Sequence, residues 1–430
     1  MKQKLRYMTL ALACIPSLAA AADVGVDATT LIRLEERSIP GFKDETVVPA
    51  TQFLGVDLDK LGDGNLSFHL YGWGRADLAD KSTEGGSTDG DLSYAYLAYR
   101  LPKADGQIKL GRFYVFEGIA AEHVDGVSAR TDLGAGFNVS AFGGAPVRLN
   151  MTDRNKGDYV VGGRLGFRVP GILEIGAAAL REGNIDTGPA TDLKDYRQLV
   201  GGDVWLAPFK AVELRGHSSY NTATEGFAEH SYLLLVQPHK TFSVSAEYND
   251  YRLRDYLATS NLRSLFNPDR DDKLRSYGAS ATWTVAKPVE VSADYKRINY
   301  DRAERGNTNR FGGDVRLTLA DRKVRSGVSY HRADSDTDAV NSYHEVRGWC
   351  LYDAAKYFTS IDAIGHIYDN SIDTKDTAFE LIGSLGYRIV PSLALSGDIS
   401  YGENPRMDSE LRGVVRLSWN FTHTTKGAAK

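Results

Sequence analysis

The sequence predicts an all-β chain, a single transmembrane antiparallel up-and-down β-barrel of about 22 strands, with roughly 18 to 22 as the range. Three observations predict it. Apolar and polar residues alternate over repeated stretches of about ten residues. Short turns bearing Pro or Gly alternate with longer polar connections. The chain also opens on the layout of an export signal.

The N-terminus carries Lys2, Lys4 and Arg6, then a mostly apolar run from Met8 to Leu18, then the small residues Ala19 to Ala22 before Asp23. A basic start, a short apolar stretch and an A-x-A-like end make a secretory signal, too short to span a bilayer as a helix. Residues 1–22 are therefore expected to be a signal peptide, 23–421 the barrel, and 422–430 a periplasmic C-terminal tail. Removing the signal removes Cys14 and leaves Cys350 as the remaining cysteine of the two. No intramolecular disulfide can then form, and with no C-x-x-C-H the chain carries no covalent haem of its own. No cofactor is implied. A net charge of −5 gives no field that favours nucleic acid. Beyond the signal, no apolar run approaches the ~20 residues of a spanning helix.

Alternating segments run from Val24 to Phe421, and the stretch from Asn65 shows the pattern. Leu66, Phe68, Leu70, Ala76 and Leu78 share one face, and Ser67, His69, Tyr71, Arg75 and Asp77 share the other. Phe242, Val244, Ala246 and Tyr248 oppose Ser243, Ser245, Glu247 and Asn249. Val289, Val291, Ala293 and Tyr295 oppose Glu290, Ser292, Asp294 and Lys296. Val315, Leu317 and Leu319 oppose Asp314, Arg316 and Thr318, and Leu393, Leu395, Gly397 and Ile399 oppose Ser396, Asp398 and Ser400. A soluble sandwich or propeller would need its inward faces apolar and a second packed layer. Here the alternate face is charged in nearly every strand.

Short turns are expected near Pro102-Lys103, Gly134, Pro170-Gly171, Pro208, Pro238, Pro288, Asp321 and Pro391. Between them lie polar connections at Asp80–Gly90, Leu149–Asp158, Gly183–Asp195, Arg252–Lys273, Asp334–Asp338 and Asn370–Asp376. Short turns face the periplasm and long loops the outside in barrels of this kind.

Leu411, Gly413, Val415, Leu417, Trp419 and Phe421 alternate with Arg412, Val414, Arg416, Ser418 and Asn420. This resembles the C-terminal strand of Gram-negative outer-membrane barrels, with the aromatic ending read during their assembly; the tail from Thr422 to Lys430 is a departure from that pattern. The resemblance to porin-like outer-membrane proteins covers the mature chain. It implies an outer-membrane channel, not an enzyme, for passive passage of small hydrophilic solutes or ions, with outer-membrane lipid around it. TonB-dependent transporters share the strand count but carry a sizeable N-terminal plug, for which the early start of strand alternation leaves no room.

If the apolar face meets lipid, then Glu213, Arg215, His217, Glu247, Asp294, Lys296, Arg310, Asp314, Arg316, Arg325, Glu345, Arg347, Arg412 and Arg416 point into the barrel as pore-lining candidates. Charges of both signs there imply water, because unpaired charges in a dry core are very costly. Most would form a salt-bridge lattice. The Arg252–Lys273 loop holds Tyr256, Leu257, Leu262, Leu265 and Phe266 among charges, and infolding of these apolar residues would make it the constriction. Glu117-Gly-Ile-Ala-Ala-Glu-His-Val-Asp125 brings acids and His123 together and is expected to be an ordinary loop rim. The histidines show no metal-ligand spacing such as H-x-x-x-H. A loose resemblance, over Gly111–Gly126 and Ser140–Pro146, is to the channel components of porin–cytochrome conduits of metal-respiring bacteria. It implies an alternative, a barrel sheath around a multihaem c-type cytochrome for extracellular electron transfer.

The topology is open to test. Cysteine at Ser87 should react with an impermeant maleimide on intact cells, and cysteine at Lys287 only after the outer membrane is opened. The reverse pattern would invert the barrel.

Overall fold

The computed structural model describes residues 23–37, 45–79, 88–147, 157–184, 194–252, 255, 273–301, 306–336, 342–405 and 407–424. The expected signal peptide and the constriction candidates Tyr256, Leu257, Leu262, Leu265 and Phe266 lie outside the described residues.

Alternating sequence becomes strand throughout. The sheet opens with β1 (Asp23–Arg37), β2 (Glu45–Val47), β3 (Pro49–Leu61), β4 (Leu66–Asp77), β5 (Thr88–Leu101) and β6 (Gly106–Glu117). It continues through β7 (Ala120–Gly134), β8 (Phe137–Pro146), β9 (Tyr159–Val169), β10 (Leu173–Gly183), β11 (Tyr196–Phe209) and β12 (Val212–Asn221). Next come β13 (Gly226–His239), β14 (Phe242–Arg252), β15 (Lys273–Ala286), β16 (Val289–Tyr300), β17 (Asn307–Leu319) and β18 (Val324–Ser335). The last are β19 (Tyr343–Asp353), β20 (Tyr357–Ile372), β21 (Lys375–Val390), β22 (Leu393–Asn404) and β23 (Met407–His423), the last of which runs two residues past Phe421.

From β3 onward each strand pairs antiparallel with the next, and β1 pairs with β23 from Val24↔His423 to Arg37↔Glu410. Both β2 and β3 pair with β1, through Glu35↔Val47 and Ile32↔Ala50, so they are two stretches of one stave. The result is a closed barrel of 22 staves. Closure pairs the backbone N–H and C=O groups of what would otherwise be two open edges, the condition for crossing hydrocarbon with strands. No helix among the described residues is long and apolar enough to cross a membrane.

One end of the barrel carries only tight turns. At the β3–β4 turn, the Asp63 carboxylate accepts the Asn65 backbone N–H at 3.0 Å and the Tyr99 hydroxyl at 3.0 Å, which together hold it below the usual carboxylate range. The other end carries the longer connections, with one departure from the sequence reading. Asn370–Asp376 is not a loop. There β20 and β21 run on to the pair Ile372↔Lys375, closed by Asp373 and Thr374 with φ of 47° and 74°. Positive φ at both central residues is the type I′ geometry that suits strand twist. Polar residues there extend the strands rather than interrupt them, since a paired ladder standing in water needs no apolar face.

The outer surface is an apolar belt. Val315 is 43% exposed, Val328 60% and Ile399 59%; Val315 is flanked by the oppositely facing Asp314 and Arg316, and Ile399 by Asp398. Cys350 is a free thiol, half-buried, on the same outward face as Val346 and Tyr352. Because the register alternates, a charge at an outward position must enter lipid. Val315→Arg should cost about 2–4 kcal/mol if it lies near the bilayer midplane. Its neighbour Arg316 is half-exposed and pairs with Asp314 at 2.6 Å and Glu290 at 3.4 Å, so Arg316→Leu should cost no more than about 1 kcal/mol. Heat-modifiable gel mobility scores folding for both. Equal assembly defects would mean the faces are assigned wrongly.

Candidate functional site: an inward-folded hairpin in a charged lumen

The hairpin of β6 and β7 leaves the barrel wall. The two strands pair with each other up to Glu117↔Ala120. Yet β6 pairs with β5 only as far as Arg112, and β7 pairs with β8 only from Val124 onward. Between Phe113 and Glu122 the hairpin therefore has no ladder partner in the wall, while the His123 carbonyl still accepts the Val147 backbone N–H at 2.8 Å.

Glycines make the bend. Gly111 and Gly126 face each other across the pair, and Gly126 faces Gly144 on β8. Gly111 has φ of 127°, and a Cβ there would run into the Ala95 carbonyl oxygen. A Cβ at Gly126 would strike the Gly143 carbonyl oxygen in the same way. Only residues without side chains let both strands turn inward here.

The hairpin then packs on the inner face of β8–β11. Phe113, Val115, Ile119, Ala120 and Val124 form a buried cluster with Phe142, Val160, Ala178, Leu180 and Leu199. Each fully buried Val, Ile or Phe is worth roughly 1.5–3 kcal/mol relative to exposure, ample to hold a short hairpin out of the wall. Gly118, at φ of 61°, fits where a Cβ would come within 2.9 Å of the Ala178 side chain and 2.8 Å of Asp203. Asp203, Ala178 and their partner Arg164 sit in mid-strand, so the tip lies about halfway down the barrel.

Buried polar groups fix its position. Arg197 on β11 pairs with Glu122 of the hairpin at 2.5 Å and with Glu182 on β10 at 3.1 Å; Arg197 and Glu122 are 7% and 8% exposed. Glu182 also accepts the Gly157 backbone N–H at 2.8 Å. Ser140 donates to Glu117 at 3.1 Å. Beneath the tip, Arg164 donates to both oxygens of Asp203, at 2.9 and 2.6 Å, and to Glu174 and Asn138. The other face of the hairpin is open: Tyr114 is 41% and Phe116 76% exposed. Tyr114 stacks on His123 at 4.0 Å, and His123 Nε2 donates to the Ser93 carbonyl at 2.8 Å.

Glu117–Asp125 is thus not a loop rim but mainly the tip and descending arm of this hairpin. A signal for it exists in the sequence. On β6–β11 the face that should be polar reads Phe113, Val115, Val124, Phe142, Val160, Leu180 and Leu199, and glycines recur at matching register.

All the charged candidates stand on the inner face. Around β14–β20 they are brought together: Glu247 with Lys296 at 2.7 Å, Asp294 with Arg310 at 3.3 Å, and Glu345 with Arg310 at 3.4 Å. His331 lies between Asp294, 2.8 Å from its Nε2, and Glu345, 3.6 Å from its Nδ1, while His366 approaches Glu345 at 3.3 Å. Asp314 accepts a hydrogen bond from Ser292 as well as pairing with Arg316. Arg347 pairs with Asp362 at 2.5 Å, Arg412 with Glu410 at 2.5 Å, and Arg416 with Asp398 at 3.9 Å. His217 pairs with Glu229 at 3.0 Å. Glu213, Arg215 and Arg325 make no ion pair among the described residues. Arg215 and Trp205 help line an open inner-face recess of ≈ 660 Å³.

No protein-family model matches the chain, and no curated protein matches it in sequence. Solved structures do. The ferric enterobactin receptor PfeA of Pseudomonas aeruginosa, a mutant in complex with enterobactin, aligns over 92% of this chain and 81% of its own at TM-score 0.57 and 9% identity. At that identity the two share the fold and no more. OccAB3 of Acinetobacter baumannii aligns over 94% of this chain and 100% of its own, at TM-score 0.46 and 9% identity. The OprD variant named OccD1 aligns over 93% and 96%, at TM-score 0.43 and 9% identity.

Removing one member of a buried ion pair strands the others, at a cost of about 3–5 kcal/mol. Arg197→Ala should therefore loosen the hairpin while leaving the barrel closed. A cysteine at Ile119, buried in the parent, should then react readily with a water-soluble maleimide in a barrel that still shows heat-modifiable mobility. Unchanged labelling would mean that apolar packing alone holds the tip.

Proposed function

We propose that this protein is a porin-like channel of a Gram-negative outer membrane, not an enzyme, passing small hydrophilic solutes or ions through a lumen narrowed by the β6–β7 hairpin. The observation that carries the reading is the hairpin tip, held about halfway down a barrel whose remaining inner wall is charged. Barrels of roughly 16 to 18 strands leave an aqueous channel, and those of about 22 leave a lumen wide enough to need filling. A hairpin that reaches mid-depth fills part of that width and leaves the rest to water.

The lining supports weak ion preference. Carboxylates and cationic groups are interleaved round β14–β20, with Arg310 and Arg316 each serving two acids, so no large field of one sign builds up there. Arg215 and Arg325 against Glu213 leave a small positive excess among the candidates that make no ion pair with a described residue. The exposed apolar belt and the tight turns at one end fit insertion in an outer membrane with that end in the periplasm. The hairpin occupies space that an inserted cytochrome would need, which supports a solute channel over the sheath.

Planar-bilayer recording tests the reading. The purified barrel should give a modest, stable conductance. Replacing Tyr114–His123 by a tight Asn-Gly turn should raise it severalfold. Deleting Tyr256–Phe266 is the comparison arm, and a larger rise there would move the constriction to that loop. Very large conductance unaffected by either change, with a haem-stained partner in native pull-downs, would favour the sheath instead.

A further inference from the structure

We infer that a row of aromatic side chains on the inner face of β3–β5 is a binding track for neutral oligosaccharides, leading from the loop end down to the hairpin. The inference rests on the channel reading and names the solute class for it.

The row follows from register. Phe53 faces Trp73, Tyr71 faces Tyr94 and His69 faces Tyr96, all on the inner side. Neighbouring rings lie nearly parallel: Phe53 and Tyr71 at 6.5 Å and 22°, Tyr71 and Tyr94 at 5.8 Å and 24°. Tyr94 and Tyr96 follow at 5.8 Å, and Tyr96 meets Phe113, at the foot of the hairpin, edge-on at 6.3 Å. The sequence positions run from the loop end of β3 to mid-depth on β5. Gly55 matters here, because a Cβ at that position would lie 3.2 Å from the Tyr71 ring, which leans across the space a side chain would fill. The rings from Phe53 to Tyr96 are only half-buried.

Across β14–β20 the inner wall uses paired charges. This strip instead presents apolar ring faces to water, with Asp57 and Asp27 beside them: Asp57 is in register with His69, and Asp27 with Gly55. Asp57 receives His69 Nδ1 at 2.6 Å through one oxygen. A pyranose fits both features, since its C–H face covers a ring while its hydroxyls donate to carboxylates. An anionic aromatic solute would stack but meet the two carboxylates as repulsion. At the lower end Lys109 lies over the Tyr96 ring at 5.3 Å, closing the strip with a cation.

The test uses maltohexaose as probe, with benzoate and inorganic phosphate as comparators. Added on the loop side of a planar bilayer, maltohexaose should block ion current at millimolar concentration. Tyr71→Ala and Tyr94→Ala should each raise the half-blocking concentration by about fivefold to tenfold, the range of one stacked ring, and Tyr94→Phe should leave it nearly unchanged. Calorimetric titration of the folded barrel in detergent reads binding without conduction. If maltohexaose binds there and the double alanine variant loses it, the track stands even where no current flows, and only the channel reading fails. The track is overturned if benzoate or phosphate blocks at lower concentration than maltohexaose, or if sugar binding survives loss of both tyrosines.

Discussion

The constraint on which everything else depends is that a strand in hydrocarbon has no water to satisfy its backbone. Each N–H and C=O within the membrane needs a partner in the chain, and the long antiparallel registers ending in β1 against β23 supply it. Once the sheet is closed, alternation of side chains becomes a sorting of environments. Odd and even positions are committed to lipid or lumen for the length of each strand, and a slip of one residue would exchange the two faces. That is why Val315 and Arg316 can be neighbours in sequence and live in different solvents.

Closure at this size creates a second problem, an interior too wide for side chains from opposite walls to meet. Part of the solution is to withdraw one hairpin from the wall. The cost is local, since backbone groups of Phe113–Glu122 give up ladder partners in the wall, and they do so in a lumen lined with charge rather than in lipid, where the loss is tolerable. In exchange an apolar cluster forms inside the barrel, and one arginine, Arg197, ties hairpin and wall through two carboxylates. Glycines at 111, 126 and 144 are what allow the turn. The inner wall is consequently not uniform. It is apolar under the hairpin, aromatic across β3–β5, and ionic across β14–β20.

This division explains how the charged side carries many charges with little excess of either sign. Arg310 serves Asp294 and Glu345 together, and His331 is wedged between the same two acids. Such a lattice stiffens the wall opposite the hairpin without building a field. Outside it lie Arg215 near Trp205, the aromatic strip, and the exposed Tyr114 and Phe116 on the hairpin.

Sequence alone determined the fold class, the strand count and the facing of the charged residues, because each depends on a period of two read locally along one strand. It also placed the tight turns at Gly134, Pro170-Gly171, Pro288 and Pro391, whose residue types carry turn geometry in themselves. It did not place the turn at Asp373-Thr374, where polar strand and polar loop have the same composition. Nor did it place the hairpin. Glu117–Asp125 alternates and carries charge like any rim segment, and what moves it inward is the match between its apolar face and residues of β8–β11 as distant as Leu199. Ile119 finds Gly201, and Glu122 finds Arg197, only when the wall has curved round to present them. Periodicity reports which side of a strand a residue occupies. Which residues meet across the lumen depends on curvature, and curvature belongs to the closed sheet.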